Sequence, residues 1–163
     1  MRMNEEQRKA ANKERLELID KTIRGLVLRV IEELEEKGWR PLLAKDVWRS
    51  PQRQLELFQQ GRSQVRWGFH CAKRSDKPAS LAADIVDADL QWSAVREFWI
   101  ALGQAAKRYG LNWGGYFGLT KTQRTALSTY LDQPRGIKMP FGWDVAHVET
   151  SALTLKEARN LYS

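Results

Sequence analysis

The segment spanning residues 142–150 constrains the fold more than any other stretch of this 163-residue chain. It places Asp144, His147 and Glu149 among apolar residues, and His147 is one of only two histidines in the sequence. The pattern predicts a strand over 145–150 with His147 and Glu149 on one face, because side chains alternate along a strand. Asp144 would point away from His147 in an unbroken strand, so the two can meet only if the chain bends between them.

The second histidine, His70, precedes an apolar run over 81–86 that contains Asp84 and is typical of a buried strand. Two histidines and a carboxylate are the ligand types of a catalytic zinc site, although a lone histidine is more often structural. We therefore expect His70, Asp84 and His147 as metal ligands. The spare acids have complementary roles: Asp144 as the general base and Glu149 as the group that orients a ligand from outside.

Arg49 lies where a predicted strand over 40–48 meets a helix that begins at Ser50 and Pro51. A junction of this kind often faces a cleft, so Arg49 is a candidate for binding the negative charge that develops on a substrate carbonyl, or a substrate carboxylate. A surface arginine without a chemical role is the alternative.

The chain carries a net charge of +7, with a sequence pI of about 9.7. Residues 1–38 hold nine basic and nine acidic side chains, so the whole excess lies in residues 39–163. An anionic partner is expected, and nucleic acid, an acidic membrane surface and a cell-wall polymer all qualify. A basic loop over 62–80 contains Trp67 and Phe69, a combination that can also hold single-stranded nucleic acid. The single cysteine, Cys71, excludes an internal disulfide framework.

The order of predicted elements indicates an α+β fold with a small antiparallel sheet flanked by helices. One long N-terminal helix is predicted over 5–37, since Leu16, Ile19, Ile23, Leu26 and Val30 form one apolar stripe. We expect a single domain over 1–163, with residues 1–38 packing on it. The other predicted elements are helices over 51–60, 92–109, 120–131 and 154–162 and strands over 111–115 and 145–150.

The sequence shows neither a secretory signal nor a membrane-spanning window. The expectation is a protein made in the cytoplasm that reaches any external target after release by another route.

Several motifs follow one another in the order of a known family. They are Trp48-Arg49-Ser50, Gln54, Gln60-Gly61-Arg62-Ser63, His70, Ala83-Asp84, Gly110-Leu111-Asn112-Trp113-Gly114-Gly115 and Asp144-Val145-Ala146-His147-Val148-Glu149. Over roughly residues 40–150 the chain resembles the zinc peptidases that include phage L-alanyl-D-glutamate endolysins, D-alanyl-D-alanine carboxypeptidases and vancomycin-resistance dipeptidases. The resemblance implies a hedgehog/D-Ala-D-Ala-peptidase-like fold and Zn²⁺ bound by His70, Asp84 and His147. It also implies Asp144 as the base and Arg49 as the residue that polarises the substrate.

The chain departs from the family pattern in three places. Gly68 stands where the family has a serine, and thirteen residues rather than six separate His70 from Asp84. Asp76 is nearer the usual spacing, but Asp84 is preferred as the ligand because it lies in a predicted strand. Residues 116–139 look longer than the corresponding endolysin loop and could form a lid or a groove wall.

The function best matched by the sequence is a zinc peptidase that cleaves peptidoglycan stem peptides, as a phage or prophage endolysin of the L-alanyl-D-glutamate type. A D-alanyl-D-alanine carboxypeptidase of the same family is one alternative, and a basic nucleic-acid-binding module is another. Nucleic acid is not the expected partner, because no helix-turn-helix, zinc-finger or single-strand-binding motif is present. The oligomeric state is left open.

Overall fold

A computed structural model describes residues 2–163 and shows an α+β architecture. The helices are α1 (Glu5–Leu16), α2 (Lys21–Glu36), α3 (Pro51–Gln59), α4 (Arg96–Arg108), α5 (Lys121–Asp132) and α6 (Leu155–Tyr162). The strands are β1 (Pro41–Leu43), β2 (Lys73–Arg74), β3 (Lys77–Pro78), β4 (Ala82–Asp87), β5 (Asn112–Trp113) and β6 (His147–Glu149). Within residues 2–163 no helix is both long and apolar enough to cross a lipid bilayer.

Four strands form an antiparallel sheet in the order β1-β4-β6-β5, so the predicted fold class is confirmed. Its two faces have different tasks, because side chains alternate along each strand. Ala83 and Ile85 of β4 and Val148 of β6 point into the main core. Asp84 and His147 lie on the opposite face, which is free to carry polar chemistry.

Helices α2 and α4 cover the apolar face of the sheet. Helix α2 buries Ile23, Val27, Val30, Ile31 and Leu34, a spacing that puts all five on one side of a helix. Helix α4 packs beside it and contributes a second apolar face to the same core. These two helices therefore cover one face of the sheet.

The predicted continuous helix over 5–37 is wrong, because the chain breaks between α1 and α2. Asp20 caps α2 by accepting a hydrogen bond from the backbone N–H of Thr22 at 3.0 Å. Its own N–H donates to the carbonyl of Ser80, and the N–H of Ser80 donates to Leu18, both at 2.8 Å. Pairing with a distant segment replaces helical bonds here. Within α2 the buried face runs through Val27 rather than Leu26, which is half-exposed.

Helix α1 lies along the free edge of β1 and satisfies its backbone with side chains. Asn12 donates to the Pro41 carbonyl at 3.0 Å and accepts from the Leu43 N–H at 2.9 Å. Arg8 donates to the same Pro41 carbonyl at 2.8 Å, and Arg15 donates to the Leu43 carbonyl. Buried backbone groups at a sheet edge need partners of this kind.

The extra residues between His70 and Asp84 form a small hairpin. Strands β2 and β3 pair across a tight turn in which Ser75 and Asp76 adopt positive φ values of 50° and 60°. The segment 116–139 likewise contains a regular element, α5, which begins at the predicted capping box of Thr120 and Gln123.

Other elements are shorter than predicted. Helix α4 starts at Arg96 rather than at residue 92, because the carboxylate of Asp87 accepts from the backbone of Asp89 and Leu90 and stabilises a turn before it. The strand predicted over 40–48 extends only through Pro41–Leu43.

Candidate metal centre

Three polar side chains converge on the face of the sheet that is not covered by helices. Asp84 and His147 are directly opposite each other across the β4–β6 pair, so their side chains project side by side. His70 comes from a short 3₁₀ turn, Phe69–Cys71, that packs against β4. All three are buried, and together they form a group able to hold a metal ion.

The distances within this group fit tetrahedral coordination. Nε2 of His70 lies 3.3 Å from Nδ1 of His147, and that Nδ1 lies 3.1 Å from Oδ1 of Asp84. Nε2 of His70 is 3.6 Å from Oδ2 of Asp84. Ligands bound at about 2.0–2.1 Å in a tetrahedron are separated by about 3.3 Å. The two histidine nitrogens have this separation, whereas Asp84 meets each histidine through a different oxygen, so its carboxylate must turn for one oxygen to join both nitrogens at a single ion.

The outer nitrogens of both imidazoles are held by hydrogen bonds that fix the tautomers. Nδ1–H of His70 donates to the Val47 carbonyl at 2.8 Å, and Nε2–H of His147 donates to Glu149 at 2.7 Å. In neutral rings this leaves lone pairs on the two inner nitrogens, which face each other beside the Asp84 carboxylate. Three acceptors that converge in this way require a cation between them, either a proton or a metal ion.

The pKa shifts of His147 and Asp84 in the metal-free group are those expected when a proton is shared among these acceptors. Burial opposes the charge on His147, but hydrogen bonds to Asp84 and Glu149 outweigh it and raise the pKa of His147 to about 10. Burial would raise the pKa of Asp84, but the neighbouring imidazoles lower that pKa well below its usual value. The metal-free group therefore retains a proton at neutral pH, and a bound metal ion would take its place.

Asp144 enters the site through the bend that the sequence required. The backbone turns at Val145 and Ala146, and the N–H of His147 donates to the Asp144 carbonyl at 3.1 Å. This turn brings Oδ2 of Asp144 to 3.9 Å from Nδ1 of His147. The Asp144 side chain is 30% exposed, and its partial burial raises its pKa above the ordinary value.

Arg49 lies on the other side of Asp84. Its Nη2 is 3.4 Å from Oδ2 of Asp84, and its Nη1 donates to the Gln54 side chain at 3.3 Å. The Nε–H of Arg49 is buried and has no partner among the described residues. Arg49 thus contacts Gln54 and Asp84 through its two terminal nitrogens.

The site lies in an open groove with a volume of about 950 Å³. One side is formed by residues 61–65, which Gln54 holds by donating to Ser63 and to the Val65 carbonyl, both at 2.7 Å. The other side includes Trp143 and the segment 151–155. The groove is much larger than the metal group and offers room for an extended ligand.

The structure separates the predicted residues from their alternatives. Asp84, not Asp76, lies with the two histidines in the group that could hold a metal ion, and Asp76 is exposed at the turn of the β2–β3 hairpin. Cys71 is fully buried beside Phe69 and lies outside the group.

Two contributors to the site were not predicted from the sequence. The Val47 carbonyl that holds His70 is a backbone group and leaves no pattern in the sequence. Trp92 lines the groove with 59% of its surface exposed, and this exposure of a large aromatic residue follows only from the turn before α4.

No protein-family model and no curated protein matches this sequence. Among solved structures, the chain is similar to the crystal structure of the Serratia marcescens L-Ala D-Glu endopeptidase ChiX. The two are 20% identical, the alignment covers 87% of each chain, and the TM-score is 0.53. At this level of identity the similarity establishes a shared fold.

Proposed function

We propose that the protein is a zinc-dependent peptidase that cleaves peptidoglycan stem peptides, with the specificity of an L-alanyl-D-glutamate endopeptidase. The observation that carries the proposal is the convergence of His70, Asp84 and His147, whose inner atoms lie 3.1–3.6 Å apart with both tautomers fixed from outside. A structural histidine needs no second histidine and carboxylate at tetrahedral distances.

Zinc suits this donor set. Two imidazole nitrogens and one carboxylate leave a fourth position open, as in catalytic zinc sites, whereas Mg²⁺ and Ca²⁺ prefer oxygen ligands. When bound, zinc acts as a Lewis acid that polarises a carbonyl oxygen and lowers the pKa of coordinated water to about 7.

Asp144 takes the part of the general base. Its carboxylate lies beside the ligand group without belonging to it, and its raised pKa brings it closer to the pH at which it must exchange protons. It accepts a proton from the attacking water and delivers it to the nitrogen of the leaving amine.

Arg49 supplies positive charge at the opposite side of the site. Arg49 lines the groove with its side chain 20% exposed, which supports a role in binding an oxygen of the substrate, either the scissile carbonyl or a carboxylate. Its contact with Asp84 also keeps the guanidinium close to the reacting atoms.

The groove and the shared fold support the substrate class. A volume of about 950 Å³ is near the upper end for small-ligand pockets, so a terminal dipeptide would leave much of it empty. The structural neighbour is named as an L-Ala D-Glu endopeptidase, and an excess of positive charge suits an anionic wall polymer. These observations favour an endopeptidase over the D-alanyl-D-alanine carboxypeptidase alternative.

The biological setting that we propose is lysis by a phage or prophage endolysin that reaches the wall after release from the cytoplasm. The test is to load the purified protein with zinc, digest peptidoglycan and identify the muropeptides by mass spectrometry. A new N-terminal D-glutamate on the released peptides is expected. Release of only terminal D-alanine would assign the carboxypeptidase reaction, and absence of both bound zinc and cleavage would refute the proposal.

A further inference from the structure

We propose that Trp113 and Gly114 position Asp144, and that Gly114 does so because it has no side chain. The inference rests on the proposed function, in which Asp144 is the base. It assigns a task to the Trp113-Gly114-Gly115 turn, which lies at the end of β5, next to the turn that carries Asp144.

Three consecutive backbone N–H groups dock the segment 142–144 onto the segment 114–117. The N–H of Gly142 donates to the Gly115 carbonyl at 2.5 Å, and that of Trp143 donates to the Phe117 carbonyl at 3.2 Å. The N–H of Asp144 lies 3.4 Å from the Gly114 carbonyl. We call this arrangement of residues 114–117 and 142–144 the glycine clasp.

The clasp leaves no room for a side chain at its closest points. A Cβ added to Gly114 would overlap the Asp144 carbonyl oxygen and lie 3.0 Å from the Asp144 Cβ. Gly142 lies in the opposite segment, and a Cβ added to it would overlap the backbone N and O of Phe117. These obstacles are backbone atoms, which cannot rotate away, so either substitution must push the two segments apart.

Trp113 also binds the turn that carries Asp144. Its indole N–H donates to the Val145 carbonyl at 2.7 Å, which is inside the turn between Asp144 and His147. The indole ring is buried against Gly103 of α4 and Gly115, where an added Cβ would overlap the ring in either case. The turn is therefore tied to the rigid α4 side of the core.

The backbone matters for Asp144 because its carboxylate has no other restraint. Among the described residues no side-chain hydrogen bond holds it, and its nearest charged partner is Nδ1 of His147 at 3.9 Å. His147, in contrast, is held by Glu149 and by its place in β6. A change in the clasp is thus expected to move the base and leave the metal ligands in place.

The experiment compares Gly114→Ala and Gly142→Ala with the wild type and with Gly25→Ala. Gly25 is exposed on α2 with nothing within 4 Å of its added Cβ, so it reports the effect of the chemical change alone. We expect kcat on a stem peptide to fall about a hundredfold in the clasp variants, since a displacement of about 1 Å can cost that much. KM should change less than about threefold on the same reasoning, and zinc content should not change, because the ligands stay in place.

A second comparison separates positioning from general damage. In an Asp144→Ala background, Gly114→Ala should lower kcat no further than about twofold, because the group that it displaces is already gone. An equal loss in both backgrounds, or loss of zinc from Gly114→Ala, would overturn the proposal.

The final measurement does not depend on activity. Crystal structures of the zinc-loaded wild type and clasp variants should show the Asp144 carboxylate displaced by about 1 Å relative to the three ligands, the scale at which orientation matters. An unmoved carboxylate would overturn the proposal even if the wild type cleaves nothing, whereas an inactive wild type with zinc bound would count against the proposed function alone. Trp113→Phe removes the bond to Val145 without adding an atom, and it gives the same readout if the alanine variants do not fold.

Discussion

Asp144→Asn is the substitution that tests the proposed chemistry most directly. Asparagine has the same shape but cannot accept a proton, and the backbone bonds that hold residue 144 are unchanged. General bases contribute about 10²–10⁴-fold to rate, which corresponds to about 2.7–5.4 kcal/mol of transition-state stabilisation. We expect kcat to fall by that factor while KM changes little.

The metal should stay in place in this variant. The Asp144 carboxylate is outside the proposed ligand group, and its Oδ2 is 3.9 Å from Nδ1 of His147. His147→Ala should lose both zinc and turnover, because it removes a ligand. Zinc measured by atomic emission and cleavage of a purified stem peptide followed by mass spectrometry distinguish the two outcomes.

Asp76→Asn is the matched control. Asp76 is exposed on the β2–β3 hairpin at φ 60°, a conformation that asparagine tolerates, so both zinc content and activity should stay at the wild-type level. Loss of zinc from Asp144→Asn, or retention of more than about a tenth of the activity, would contradict the role of Asp144 as general base. That role is also contradicted if Asp76→Asn behaves in the way expected of Asp144→Asn.

Three other predictions concern the site and the fold. Zinc binding should release about one proton, and the affinity for zinc should rise about tenfold per pH unit near neutrality, because the pKa of His147 without metal is about 10. Calorimetry in buffers of different ionisation enthalpy measures the protons released, and a value of zero would refute this. Arg49→Lys should keep zinc but lower kcat/KM about 10–1,000-fold, since lysine cannot reproduce the guanidinium geometry; a wild-type value would remove Arg49 from the mechanism. Asp20→Ala should cost about 1–3 kcal/mol in urea unfolding at pH 7, through loss of the α2 cap and the ion pair with Arg74. Burial disfavours the Asp20 carboxylate, but its hydrogen bonds with Arg74 and Thr22 outweigh burial and lower the pKa of Asp20. The contribution of Asp20 to the free energy of unfolding is therefore complete above its unfolded pKa of about 3.9 and fades as the pH falls further. An equal cost of Asp20→Ala at pH 3 would contradict this.

The convergence of His70, Asp84 and His147 could be predicted from the sequence, because few residues of metal-binding type compete with them. Two histidines and an aspartate within an apolar run left little choice, and strand alternation put His147 and Glu149 on one face. The register that sets Asp84 opposite His147 could not be predicted, since it depends on how β4 and β6 align in the folded sheet.

The errors in the fold also have tertiary causes. The break before α2 depends on pairing with Ser80, which is sixty residues away from Asp20 in the sequence. The apolar stripe continues across Asp20, so the sequence pattern alone predicts an unbroken helix. The sequence indicated only a charged loop at Ser75 and Asp76. Neither residue is a glycine, so no residue type there pointed to the positive φ values of the hairpin turn.

The covering of β1 by α1 has a consequence for how an extended peptide can be recognised. With Asn12, Arg8 and Arg15 occupying the backbone groups of β1, a peptide cannot add itself there as a fifth strand. The strand at the opposite edge of the sheet, β5, is only two residues long, so it offers few backbone groups with which an added strand could pair. If the proposed function holds, a substrate chain is therefore expected to lie across the face of the sheet, where side chains of the groove rather than backbone pairing recognise its sequence.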